Sequence, residues 1–176
     1  MKKYTLVKSD FKIVLGTKLF RIKAKISFGF ISKGELGGYI EKEENLEPSG
    51  DAWVSGNAQV SGNAQVSGNA QVYGNARVYG DAWVSGNARV SGNARVYGDA
   101  WVSGNAEITI SPINLIAVCQ FSLTAYCGLV QIGCKLHTIA EWDKIFAMKT
   151  YLNLCRDEES YNKCKAAFEF CKTLLS

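Results

Sequence analysis

The sequence predicts a mainly β chain in three parts: an antiparallel β cap, a stack of parallel strand coils, and a C-terminal α+β part. Three observations carry this. Residues 49–108 write one six-residue phrase, Ala-x-Val-x-Gly-(Asn/Asp), ten times with no insertion. Residues 4–30 carry strand-like alternation of apolar and basic side chains. After Ser111-Pro112 the period breaks, and helical spacing appears towards the C-terminus. The expected segments are a basic β cap and entry coil over 1–48, coils over 49–108, and a small α+β domain over 109–176.

A fixed short period of small and β-branched residues implies stacked coils. Within a hexad, Ala and Val lie two apart and point to one side of a short strand. Gly and Asn or Asp tolerate positive φ and supply the turn. Three such sides close a triangular prism, so a coil is 18 residues and ten hexads make just over three coils. Each valine is followed four positions later by an alanine, as Val54 by Ala58. This resembles the left-handed parallel β-helix of hexapeptide-repeat proteins, a resemblance specific for fold and not for function.

Residues 18 apart then stack on a common face. One face carries Trp53, Gln71 and Arg89. A second carries Arg77 with Tyr79 and Arg95 with Tyr97, a basic and aromatic patch. A third carries Trp83 and Trp101, an outward aromatic ladder. Exposed tryptophan disfavours water contact unless something covers it. Trp53, Trp83, Trp101, Arg77, Tyr79, Arg95 and Tyr97 are therefore the candidate partner-binding residues. The competing reading is self-stacking of like side chains up the ladder.

In the N-terminal segment, Phe20, Ile22, Ala24 and Ile26 alternate with Arg21, Lys23 and Lys25, which reads as a half-buried strand with a basic outer face. Gly16-Thr17 is the expected turn before it. Residues 1–34 hold nine Lys and Arg against one acid, Asp10. Lys18, Arg21, Lys23 and Lys25 are candidate phosphate contacts; with no recognised nucleic-acid module, a solvated face that guards a strand edge is the favoured reading. Ile40 and Leu46 fall in phase with Ala52, so the first coil should be entered there, with the basic sheet as its lid.

The phrase Gly34-Glu35-Leu36-Gly37-Gly38-Tyr39-Ile40-Glu41-Lys42-Glu43, running into Asn45-Leu46 and the Gly-Asn-Ala repeats, resembles a group of small bacteriophage and prophage accessory proteins. Ile132-Gly133-Cys134-Lys135-Leu136-His137-Thr138-Ile139-Ala140-Glu141-Trp142 resembles their C-terminal segment. The resemblance implies a phage-encoded protein in the cytoplasm of a bacterial host. It implies a host protein complex as partner, with antagonism of a defence system such as CRISPR as the role.

Past Ser111-Pro112, apolar runs such as Leu115-Ile116-Ala117-Val118 and Leu129-Val130-Gln131-Ile132 predict two or three strands. Thr138-Ile139-Ala140-Glu141 is a capping box that opens a helix to about Leu154, burying Ile139, Trp142, Ile145, Phe146 and Met148. Asp157, Glu158 and Glu159 sit at the positive end of a last helix. That helix should bury Tyr161, Cys164, Ala167, Phe168, Cys171 and Leu174.

The chemistry-bearing residues are sparse. The only histidine, His137, lies outside the coils, so an acyltransferase using a coil histidine as base is disfavoured. A three-histidine metal site is excluded. Cys127, Cys134 and His137 have a zinc-like spacing without a Cys-x2-Cys pair; no metal and no cofactor are expected. No run has the length of a membrane span, and no apolar leader follows Met1-Lys2-Lys3. The six cysteines are therefore expected as free thiols in a reducing compartment. The function expected is non-enzymatic protein binding by a homodimer or homotrimer. The alternatives are a polymer-forming scaffold, a nucleic-acid or nucleotide binder through the Arg-Tyr patch, and an enzyme around His137 and Cys134.

Overall fold

Each hexad forms a two-residue strand, from β4 (Trp53–Val54) to β13 (Glu107–Ile108). The strands stack in parallel with a strict 18-residue register: Trp53, Gln71, Arg89 and Glu107 in one column, Gln59, Arg77 and Arg95 in a second, Gln65, Trp83 and Trp101 in a third. Every alanine and valine of the repeats, with Ile108, is at most 2% exposed. The bore is thus filled by short apolar side chains, and the turns between sides belong to glycine. In the turns from Gly56 to Gly104 the glycine φ lies between 62° and 77°, backbone that L side chains avoid. Gly80 is also crowded: a Cβ there would stand 2.9 Å from the backbone nitrogen of Gly98 on the next coil.

The computed structural model describes residues 2–115, 121–149 and 155–175. It divides into two compact units, Met1–Ser111 and Pro112–Ser176. The first is a parallel β-solenoid of about four turns. The additional turn comes from the entry segment. In β3 (Leu36–Ile40), Tyr39 pairs with Gln59 and Ile40 with Val60, and Leu46 bridges to Val66. Ile40 and Leu46 therefore stand in the valine columns, not in phase with Ala52. Two surplus residues between Leu46 and Val54, in the stretch that holds Pro48 and Gly50, reset the period.

Side chains secure this first turn. Asn45, fully buried, donates through Nδ2 to the carbonyls of Gly62 (3.1 Å) and Ala64 (2.9 Å), and its Oδ1 accepts from the Lys42 amide. The carboxylates of Glu41 and Glu47 accept the amides of Gly62 and Gly68, each at 2.7 Å. Asparagines also ladder at the corners: Asn69 to Asn87 and Asn87 to Asn105, both 3.0 Å.

The cap is a hairpin of β1 (Tyr4–Val14) and β2 (Thr17–Ala24), turned at Leu15 and Gly16, both with positive φ. β2 pairs antiparallel with β3, so the hairpin extends one side of the prism edge-on, and the N-terminal segment and the repeats share one sheet. The expected inward set is corrected. A register shift between Arg21 and Lys23 turns Leu19, Ile22 and Ala24 inward, while Phe20 is half-buried and Ile26 is 38% exposed.

The second unit pairs Ile113–Leu115, Leu123–Tyr126, Leu129–Ile132 and Lys135–Thr138 in one antiparallel sheet. The capping box forms: the Thr138 hydroxyl accepts from the Glu141 amide, and Glu141 accepts from the Thr138 amide at 2.8 Å. The helix it opens, α1, is Ile139–Ala147. Trp142 and Phe146 are buried, Ile139 and Ile145 are partly buried, and Met148 is exposed. The helix expected to run to about Leu154 instead ends at its C-cap, Met148, with Lys149 at positive φ; residues 150–154 lie outside the described residues, as do Ile116, Ala117, Val118 and Cys119. Helix α2 (Glu158–Leu175) buries Tyr161, Cys164, Ala167, Phe168 and Cys171, but Leu174 is exposed. Cys134, Cys155 and Cys171 are free thiols. The expectation of free thiols fails at Cys164, which is disulfide-bonded. No helix of the described residues is long and apolar enough to cross a membrane.

Candidate binding faces of the solenoid

The three prism faces differ sharply. On the face continued by the hairpin, Tyr79 stacks on Tyr97 with ring centroids 5.6 Å apart and planes 13° from parallel. Arg77 and Arg95 are in direct register beside them, Arg77 half-buried and Arg95 exposed. Neither guanidinium forms an ion pair among the described residues. Above them, Tyr39 is held between two cations: Lys12 Nζ lies 4.1 Å from its ring centre and the Arg21 guanidinium 4.5 Å. A groove of about 210 Å³ opens between the hairpin tip, at Val14, Leu15, Thr17 and Leu19, and the column residues Gln59, Ser61, Arg77, Tyr79 and Arg95.

On the second face, Trp83 stacks on Trp101 at 5.6 Å and 14°. Trp83 is 45% exposed and Trp101 half-buried. The Trp83 indole N–H donates to the Ser67 hydroxyl at 3.3 Å. A groove of about 380 Å³ reaches from Trp83 and Gln65 to Glu43, Glu44 and Glu47 of the entry turn. Glu43 pairs with Lys2. Glu47 is held below the usual carboxylate range, first by the Gly68 amide and then by the Ser49 hydroxyl. Glu44 is exposed and makes no ion pair among the described residues.

The third face is covered at its tryptophan, while a groove of about 270 Å³ opens beside Gln71 and Arg89. Trp53 leaves the candidate surface: it is 3% exposed, with Phe28 edge-on at 5.4 Å. The ring fits because residue 37 is glycine; a Cβ there would lie 2.7 Å from the Trp53 ring and 2.4 Å from Ile22. Further along this face, Arg89 meets Glu107 at 3.4 Å. The candidate phosphate contacts also divide. Arg21 is engaged by Asp10 (2.8 Å), the Gly37 carbonyl (2.9 Å) and the Tyr39 hydroxyl (2.6 Å). Lys18 sits 3.8 Å over the Phe11 ring, while Lys23 and Lys25 are exposed. None of the four lines the grooves above.

In the second unit, His137 lies edge-on to Trp142 at 5.0 Å, and its Nδ1 is 3.9 Å from Glu141. Among the described residues, no group of three or more His, Cys, Asp or Glu side chains is placed to hold a metal ion.

The stacked register and the turn glycines make this a β-solenoid repeat protein. The family model described as the YdcK beta solenoid repeat matches residues 70–86 and 88–104, a part of the repeats. No curated protein matches the chain.

Two features of these faces escape a periodicity argument. The hairpin tip and the entry-turn glutamates are brought to the prism by the entry segment, whose phase shift is invisible to counting in sixes. The burial of Trp53 depends on Gly37, sixteen residues away; the Gly37-Gly38 pair before an aromatic was the available signal.

Proposed function

We propose that the chain is a non-enzymatic scaffold that binds another protein through its tryptophan face. The carrying observation is Trp83: 45% exposed, stacked on Trp101, and opening onto a groove that ends in carboxylates. An indole face beside carboxylates favours a cation, since the ring quadrupole and the acids attract the same charge. An Arg or Lys side chain of a partner protein fits that chemistry, and exposed tryptophans are typical anchors of protein interfaces. The resemblance to phage accessory proteins supplies the partner's class: a host defence complex, of the CRISPR type, which the chain inhibits in the bacterial cytoplasm. The same flat face suits self-association as a homodimer or homotrimer.

The test is capture from a bacterial lysate by the wild-type chain, by Trp83→Ser and by Glu44→Lys, with solution mass followed by light scattering. A single complex recovered by the wild type and lost with both variants supports the reading. Capture insensitive to both variants contradicts it. Open-ended growth of the purified chain with nothing captured marks a polymer-forming scaffold instead.

A further inference from the structure

The aromatic ladder on the hairpin face stops before it reaches the strands that join the repeats to the hairpin. Tyr97 and Tyr79 stack, and the next outward position in the column, 18 residues before Tyr79, is Ser61. A serine leaves that rung without a ring. The cavity of about 210 Å³ lies at this vacant rung, floored by Ser61 and Tyr79 and walled by the hairpin tip at Leu15. Rungs of a parallel stack repeat at about 4.8 Å. A planar ring placed there would continue the stack on Tyr79.

Among the described residues, the charge beside the vacant rung has no acidic partner. Like charges directly opposite on neighbouring strands are destabilising, yet Arg77 and Arg95 are direct register partners with no acid. The same column position elsewhere shows the alternative: Arg89 faces Glu107, one coil on, at 3.4 Å. The nearest acid of the entry turn on this side, Glu41, is turned to the Gly62 amide. The face therefore offers a ring-sized slot and two adjacent uncompensated guanidiniums, which suit a phosphate.

We infer that this groove binds a free nucleotide, with the base on Tyr79 at the Ser61 rung and the phosphate on Arg77 and Arg95. A nucleotide matches both features at once, whereas an inorganic anion uses only the arginines. One vacant rung accommodates one base, which favours a mononucleotide over a run of single strand. This site is separate from the tryptophan face and stands or falls without it.

The test is calorimetric titration of the full chain with AMP, adenosine, inorganic phosphate and a single-stranded oligodeoxythymidine. Ser61→Tyr fills the rung with the residue that the next coils already carry, so the coil geometry tolerates it. Ser85→Tyr, at the matching position of the tryptophan face, is the control, and circular dichroism melting checks folding. The expected result is AMP binding that weakens as salt rises. It should fall at least tenfold in Ser61→Tyr and in Arg95→Gln, and stay unchanged in Ser85→Tyr; adenosine and phosphate alone should bind at least tenfold more weakly. No AMP binding at millimolar concentration, or binding indifferent to Ser61→Tyr, overturns the site. Phosphate binding as tightly as AMP reduces it to an anion patch and overturns the base slot. Oligonucleotide binding without AMP binding overturns the free nucleotide as its ligand.

Discussion

Single residues at the entry turn replace what a preceding coil would otherwise supply. Asn45 satisfies the carbonyls of Gly62 and Ala64 from a fully buried position. Asn45→Ala leaves buried acceptors unpaired, each at a cost of about 1–3 kcal/mol. Urea unfolding should show a loss of roughly 2–4 kcal/mol, and Asn45→Asp should not rescue it, because a carboxylate donates nothing. Lys3 is the second such residue. It is 2% exposed, and its Nζ donates to the carbonyls of Ser49 (2.8 Å) and Gly50 (3.0 Å). Burial lowers its pKa from 10.5 to about 8, against the opposing pull of Glu47 and Asp51. The folded state thus disfavours the ammonium. Below pH 8 both states are protonated and the penalty is complete; between pH 8 and 10.5 the unfolded chain binds more proton, so stability rises with pH. Relative to Lys3→Met, the wild type should gain on the order of 3 kcal/mol across that window; a flat difference would show that the ammonium is not penalised. Neither residue is legible in the sequence, because a repeat pattern carries no information about the segment that departs from it. The exposure of Trp83 was legible from its outward position, and the burial of Trp53 was not, because the same outward position is covered by a distant loop.

At the scale of elements, the hexad is self-sufficient. Ala and Val fill the bore, glycine turns the corner, and the period dictates which side chains become neighbours. That is why the contents of all three columns follow from counting by 18. The entry coil needed more, since two surplus residues before Trp53 shift Ile40 and Leu46 into the valine columns. The β2 strand needed more as well: Ile22 and Ala24 face inward as their alternation predicts, but across the register shift Leu19 takes the inward place expected of Phe20. The hexad glycines make a graded prediction. At Gly80 an alanine meets both a positive φ and a backbone atom at 2.9 Å on the next coil. At Gly16 in the hairpin tip the φ is equally positive, but nothing lies within 4 Å. Gly16→Ala should cost only the left-handed strain, about 1–2 kcal/mol, and Gly80→Ala clearly more. Equal costs in thermal melting would show that the coils can spread to admit a methyl group.

Across the whole molecule, charge and aromaticity are segregated by face, not by domain. Much of the basic excess of the first 34 residues is spent on internal contacts, Arg21 with Asp10 and Lys18 with Phe11, while Arg77 and Arg95, which form no ion pair among the described residues, belong to the repeats. A solenoid suits this separation, since substitutions at outward positions leave the bore untouched. The central claim, that the tryptophan ladder is a docking surface and not a device of stability, can be read at its own atoms. The chain holds four tryptophans, each with one indole N–H that NMR can follow. On adding the protein complex recovered by capture, the Trp83 signal should shift or broaden, while those of Trp53 and Trp142, both buried, should stay in place. A complex that forms while the Trp83 signal is unmoved would contradict the claim and place recognition elsewhere on the molecule.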